Sequence, residues 1–227
     1  MTQLALAILA FVGSHLLLSH PLRPALAERL GALGFLILYS LVALAIFAWM
    51  IVAYRQADAA DPLWLAPYQY WPFASLLMLF ASILLVGSLV GNPAHPGMGR
   101  RSAGKAPRGV YAITRHPMNW SFILWALVHA SLSGSPRNLI VAAGIFLLAL
   151  VGSIGQDRKK ERLLGEAWRD WAARTSFVPF AAAFAGKVRW RDCIPGIIAL
   201  IGGAILWALA TSYHAPLVSP LGDLLSR

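Results

Sequence analysis

The segment YAITRHPMNWSFILWALVHAS, residues 111–131, decides which class of fold has to be considered. It opens with the basic tripeptide Arg115-His116-Pro117 and continues as an apolar run that contains a second histidine, His129. An imidazole is unfavourable in hydrocarbon, so either the segment lies outside a membrane or its histidines have a function there. The composition of the whole chain distinguishes these two cases.

The composition is that of a membrane protein. The chain has 227 residues, of which 59% are hydrophobic and 12% charged, whereas an ordinary soluble domain has about 25% charged residues. A net charge of +10 often indicates nucleic-acid binding, but here the basic residues lie between apolar runs, which favours a membrane surface. We therefore expect membrane lipid, and no nucleic acid, as a partner. The single cysteine, Cys193, excludes a disulfide framework and a covalent haem motif.

Six apolar runs are long enough to cross a bilayer as helices, which takes about 20 residues each. Helices are expected because lipid offers no partner to unpaired backbone groups. The chain is therefore predicted to be an all-α polytopic membrane protein, one domain over residues 1–227 with six transmembrane helices. The predicted spans are 3–19, 32–54, 71–90, 118–134, 137–154 and 194–213.

The basic residues predict the orientation of these spans. Of the 19 Lys and Arg residues, 16 lie in the first, third and fifth loops. The positive-inside rule then places these loops in the cytoplasm and both termini on the outer side. Within the fifth loop, residues 157–177 carry Leu164, Trp168 and Trp171 on one helical face and basic residues on the other. This pattern predicts an amphipathic helix lying on the cytoplasmic membrane surface.

His15 and His129 are predicted to lie near the bilayer centre on different helices. Each is about 18 Å from the side at which its span begins, at a rise of about 1.5 Å per residue. Two such imidazoles form a natural pair of axial ligands for haem b. Aromatic and small polar residues share their helix faces, notably Ser19 with His15 and Trp125 with His129. The alternative is that each histidine only hydrogen-bonds a neighbouring helix.

Arg115 and His116 lie at the cytoplasmic end of the fourth span and are candidate catalytic residues. Together they could hold an anionic group, and His116 could act as an acid or base. The alternative role is an interfacial anchor and helix cap, since Pro117 suits a first helical position. His20-Pro21 repeats the arrangement at the cytoplasmic end of the first span, so His20 and His116 are predicted to face one site.

The sequence resembles the NnrU family of polytopic membrane proteins. The likeness is carried by VGSHLLLSHPLRPALAERLGALGFLILYSLVAL (12–44), GNP (91–93), GVYAITRHPMNWSFILWALVHAS (109–131) and DRKKERLLGEAW (157–168). It implies a protein of the bacterial inner membrane, associated with denitrification and nitric oxide metabolism. The zeta-carotene isomerases look like relatives of this family and use haem b with histidine ligands. By motif, those ligands correspond to His15 and His129, which implies a redox or isomerase-type haem protein acting on nitric oxide or an apolar small molecule.

A more distant likeness suggests a different enzyme class. GVYAITRHPMNW followed by ERLLGEAWRDWAARTSFVPF is similar to motifs of the isoprenylcysteine and phospholipid methyltransferases, which bind S-adenosylmethionine. That reading would place Arg115, His116 and Glu161 near a cytoplasmic cofactor. Lys160-Glu161 supplies one carboxylate where those enzymes usually have two, which favours a shared fold over shared chemistry. A third hypothesis is a non-catalytic membrane assembly factor whose histidines only pack.

Overall fold

The computed structural model describes residues 1–58, 60–90 and 104–214. Within these ranges the chain is helical, and its one β-type feature is an isolated bridge between Leu65 and Ser133. The GNP segment of the resemblance lies outside the described residues. The helices are α1 (Thr2–Ser19), α2 (Arg23–Gln56), α3 (Trp71–Ser88), α4 (Val110–Ile113), α5 (Pro117–Leu132), α6 (Pro136–Leu164), α7 (Glu166–Arg174), α8 (Ala181–Phe184) and α9 (Ile197–His214).

The prediction of an all-helical membrane protein is confirmed for four candidate spans. Among the described residues, Thr2–Ser19, Arg23–Gln56, Tyr68–Ser88 and Pro136–Leu164 are long and apolar enough to cross a membrane. Helices also form at the other two predicted spans, but α5 has 16 residues and rises only about 24 Å. The apolar part of α9, Ile197–Ser212, is also shorter than the four.

The long helices pack side by side in an order that differs from their order in the chain. The main contacts join α2 to α1, α1 to α6, α6 to α5, α5 to α3, and α3 to α9. A tight turn joins α5 and α6 into an antiparallel hairpin, and Pro136 occupies an early position of α6. Glycines permit close approach within this row, because a Cβ on Gly144 would lie 2.3 Å from Ile8 Cγ2 and one on Gly155 would lie 2.4 Å from the His20 ring.

α2 is bent near its beginning. Gly31 has φ 71° and ψ 171° and separates a short first part from the part that follows. Only glycine adopts this backbone conformation without strain. The predicted span 32–54 corresponds to the part after the bend, whereas the residues from Arg23 to the bend are helical where the sequence predicts a loop.

The predicted amphipathic helix over 157–177 is two helices in the structure. Residues up to Leu164 continue α6, and Gly165, with φ 56°, ends it before α7 begins. Trp168 and Trp171 are each 3% exposed and pack against Val110–Ile113 in one hydrophobic cluster. Their apolar face is therefore covered by protein, because the chain folds α4 and α8 over it.

The contact between α3 and α9 supports a prediction about Gly203. A Cβ at this position would lie 2.6 Å from the Cα of Ile83, which is backbone and cannot move away alone. Gly203→Ala should therefore separate the two helices and lower the free energy of unfolding by about 1–3 kcal/mol. Gly13→Ala is the matched control, since no atom outside its own helix lies within 4 Å of the added Cβ. Equal thermal midpoints for the two purified variants would contradict a close α3–α9 contact.

Candidate functional site

A cavity of about 1180 Å³ lies between α1, α2, α5 and α6. Its volume is somewhat larger than that of typical ligand sites, which is roughly 300–1000 Å³. Much of the wall is apolar and includes Phe47, Met50, Ile145 and Leu148. Basic side chains from the end of α1, the start of α2 and the last turns of α6 border one end of the cavity. We call this part the basic end and define it by His20, Arg23, Lys159 and Lys160.

His15 borders this cavity, and a hydrogen bond determines which of its ring nitrogens carries the proton. Its Nδ1 lies 2.8 Å from the carbonyl oxygen of Phe11, and a carbonyl can only accept, so Nδ1 carries the hydrogen. Nε2 of the neutral ring therefore holds the lone pair that a metal ion needs. The ring packs against Phe11 and Tyr39, at centroid distances of 4.2 and 5.5 Å. Ser19 also borders the cavity, as the shared helix face predicts.

His129 lies in different surroundings. Its Nδ1 donates to the carbonyl oxygen of Trp125 at 2.8 Å, and its ring stacks on Trp125 with a centroid distance of 4.2 Å. The ring of His214 lies 6.0 Å away. Neither His129 nor Trp125 is among the described residues that border the cavity. Its tautomer also suits a metal ion, but the cavity supplies only His15 of the predicted pair.

The helix register explains why His15 and His129 are apart. Ile8 packs on Gly144 and His20 on Gly155, so His15 is level with about residue 150 of α6. Asn119 donates to Ser153 Oγ at 2.7 Å across the antiparallel hairpin, which places His129 level with about residue 143. This offset is roughly seven residues, or about 11 Å along α6. Shared haem ligation by His15 and His129 stays a prediction, and this arrangement does not support it.

Arg115 and His116 meet a carboxylate that the sequence reasoning missed. Asp157 accepts from Arg115 Nε at 2.9 Å and Nη2 at 2.7 Å, and from His116 Nε2 at 2.9 Å. The His116 side chain is 3% exposed and borders the cavity. Because Nε2 donates to the carboxylate, Nδ1 of the neutral ring is left as the proton acceptor. Arg115 and His116 border the cavity, and the Asp157 carboxylate holds both of them.

Local structure holds this group in place. Pro117 begins α5, so His116 occupies the N-cap position with φ −122° and ψ 56°. The Arg115 backbone N–H donates to the carbonyl oxygen of Ser176 at 2.9 Å. The Trp120 indole donates to the carbonyl oxygen of Phe177 at 2.8 Å. The start of α5 is therefore fixed by the segment that follows α7.

His20 borders the same cavity as His116, and that the two serve one site stays a prediction. Burial lowers the pKa of His20, and the positive charge of Lys159 lowers it further. A neutral imidazole at neutral pH follows, and it can accept or donate a hydrogen bond at the basic end.

Glu161, the third residue of the methyltransferase hypothesis, lies beside a separate crevice of about 340 Å³. Arg115, Asp157 and Phe177 border this crevice as well, whereas the described lining does not include His116. The predicted S-adenosylmethionine site would therefore be divided between two spaces. In the parts of the chain that the structure describes, no three His, Cys, Asp or Glu side chains form a group that could hold a metal ion.

Comparison with known proteins gives one family and two curated relatives. The family described as NnrU protein matches residues 3–220. The chain is 34% identical over 79 residues to the chloroplastic 15-cis-zeta-carotene isomerase of Arabidopsis thaliana and 33% identical over 79 residues to that of Zea mays. Each alignment covers 35% of this chain and 22% of the relative. No solved structure matches the chain.

Proposed function

Because the chain belongs to the NnrU family, we propose that it is an isomerase-type membrane protein that binds haem b and an apolar conjugated molecule in the cavity. The similarity to zeta-carotene isomerases supports the isomerase class. The alignment spans 22% of each relative, so the reaction and a polyene substrate are part of the proposal.

The observation that carries the proposal is the position of His15 in an apolar cavity of about 1180 Å³. Nε2 of His15 holds a lone pair for the iron. The aromatic rings of Phe11 and Tyr39 pack against the imidazole and suit a flat macrocycle. The cationic side chains of the basic end suit the two carboxylates of haem b. When bound, the haem would supply an iron centre that can change redox state or bind a small molecule.

The side chains around the cavity have separate roles in this proposal. His15 would hold the iron, and Ser19 and Tyr39 would border the bound group on its α1 and α2 sides. His116, oriented by Asp157, would accept or donate a proton at Nδ1. Arg115 would keep the Asp157 carboxylate charged and in position, and is therefore a positioning residue.

The proposed membrane placement extends the four candidate spans to six. α5 and α9 would cross as well, since both pack against α3 and α9 contains the apolar stretch Ile197–Ser212. The basic end would face the cytoplasm of a bacterial cell, and both termini would lie outside. α7 would lie at the cytoplasmic surface, with its basic face toward lipid headgroups.

The association of the family with nitric oxide metabolism fits one feature of the cavity. His15 is the one imidazole of the predicted haem pair that borders it. A haem iron held by one histidine keeps a coordination position for a diatomic gas such as nitric oxide. The nitrogen-oxide role is therefore proposed as a second use of the same iron.

Titration of haem b into the detergent-purified protein tests the proposal. We expect a Soret band that saturates at one haem per chain, and a shift of that band when nitric oxide is added under anaerobic conditions. The haem-loaded protein should also change the ratio of cis to trans isomers of a polyene, measured by chromatography. A protein that gives no saturable band would refute haem binding, and an unchanged isomer ratio would refute the isomerase class.

A further inference from the structure

The basic end of the cavity brings together positive charge from two helices, α2 and α6. Arg23 begins α2, while Lys159 and Lys160 are neighbours on α6, and all three border the cavity. They are close enough for the charge of Arg23 to act on both lysines. The guanidinium of Arg23 also lies over the ring of Phe35, 5.6 Å from its centroid, which holds it near the cavity.

Among the described residues, the ion pairs include neither Arg23 nor Lys159. Those pairs join Arg115 and His116 to Asp157, and Arg189 to Asp192. The Asp157 carboxylate of α6 is therefore already engaged. Like charges that share a partly buried site repel one another, and a bound anion would remove that repulsion.

The start of α2 adds to the attraction for an anion. The first turn of α2 contains no acidic residue, and no side chain caps its N-terminus. The unpaired N–H groups and the helix dipole make this end positive. Arg23, which borders the cavity, therefore begins a helix end of the same sign of charge.

The remainder of the cavity requires an apolar partner. Phe47 and Met50 of α2 face Ile145 and Leu148 of α6 across it. An inorganic anion would fill only the basic end, and a neutral hydrocarbon would leave the charges of Arg23 and Lys159 without a counter-charge. The two parts together match a molecule with an apolar body and an anionic end group.

We propose that the cavity binds an amphipathic anion, with its apolar body among α1, α2, α5 and α6 and its carboxylate or phosphate at Arg23 and Lys159. Haem b, which has two carboxylates, and an acidic membrane lipid, which has a phosphate, share this chemistry. The proposal uses the same cavity as the proposed function but does not require iron, so it can hold if haem binding fails.

The test uses the fluorescent polyene cis-parinaric acid and its methyl ester, which has the same body without the charge. Both are titrated into the purified full chain and into Arg23→Gln/Lys159→Gln. The acid should bind the double variant about tenfold less tightly, as expected for the loss of charged hydrogen bonds, while the ester should bind both proteins equally. Lys187→Gln/Arg191→Gln is the matched control, because it removes the same charge from exposed positions outside the cavity.

Equal affinity of the acid for the wild type and the double variant would overturn the proposal. So would an equal loss for acid and ester, since that result would mean that the cavity itself had changed. Competition then identifies the source of the anion: displacement by haem b assigns the site to carboxylates, and displacement by dihexanoyl phosphatidylglycerol assigns it to lipid phosphate. Displacement by inorganic phosphate alone, or by none of these competitors, would contradict an amphipathic ligand.

Discussion

His15→Ala is expected to abolish the Soret band of the haem-loaded protein, because His15 is the ring of the predicted pair that borders the cavity. Its Nδ1–H is fixed by the Phe11 carbonyl at 2.8 Å, so the ligating Nε2 is already oriented before haem binds. Loss of a residue that only hydrogen-bonds a metal ligand typically weakens metal binding by about 10–100-fold. Loss of the ligand itself should therefore weaken haem binding by at least about 100-fold. Haem titration followed by absorption measures this change.

Two further variants make the experiment decisive. His214→Ala is the matched control, because its Nδ1 donates to the carbonyl oxygen four residues earlier, Ala210, at 2.7 Å, as that of His15 does to Phe11. The arrangement of the helices predicts that His129→Ala also retains the band. Loss of the band in His129→Ala together with His15→Ala would instead support the pair predicted from the sequence.

Asp157→Asn is expected to destabilise the protein and impair any acid–base function of His116. The amide would lose the charge that Arg115 and His116 share, and its NH₂ group would face one of their donors. We expect the free energy of unfolding to fall by about 2 kcal/mol, less than for a fully buried pair because 25% of the Asp157 side chain is exposed. Unfolding in detergent followed by intrinsic tryptophan fluorescence measures this loss.

The surface pair of Arg189 and Asp192 supplies the control for this variant. Arg189 Nε lies 2.8 Å from Asp192 Oδ2, but the Arg189 side chain is 62% exposed. Asp192→Asn should therefore leave the unfolding transition nearly unchanged. If Asp157→Asn has no larger effect than Asp192→Asn, the contact among Arg115, His116 and Asp157 does not stabilise the fold.

The helices could be predicted from the sequence because the signal for them is local. An apolar run such as that of α1 must form its backbone hydrogen bonds internally in lipid, whatever its neighbours are. The predicted span 137–154 ends where the apolar run ends. The helix α6 continues through the charged residues that follow, as far as Leu164. Gly165 ends it, as its positive φ of 56° shows.

The arrangement of the site could be predicted only in part. The face pattern puts Ser19 and His15 on one side of α1, and both border the cavity. Counting residues from each helix start could not give the register between helices. Asp157 was missed because its partners lie 41 and 42 positions earlier in the chain. The signal that could have pointed to Asp157 is its position: a carboxylate directly before three basic residues, at the same membrane side as Arg115 and His116. The buried face of α7 was misassigned because tryptophans suit both lipid and a protein core.

The two glycines of α6 that contact α1 restrict how the length of this helix can change in evolution. Gly144 and Gly155 are 11 residues apart and both face α1, where Ile8 and His20 occupy the space that a Cβ would need. Eleven residues make about three helical turns. Deleting one residue between them would rotate all that follows by about 100°, which would move Asp157 away from Arg115 and Lys159 away from the cavity. We therefore expect insertions and deletions among homologues to fall in the connecting segments and to be absent between Gly144 and Lys160.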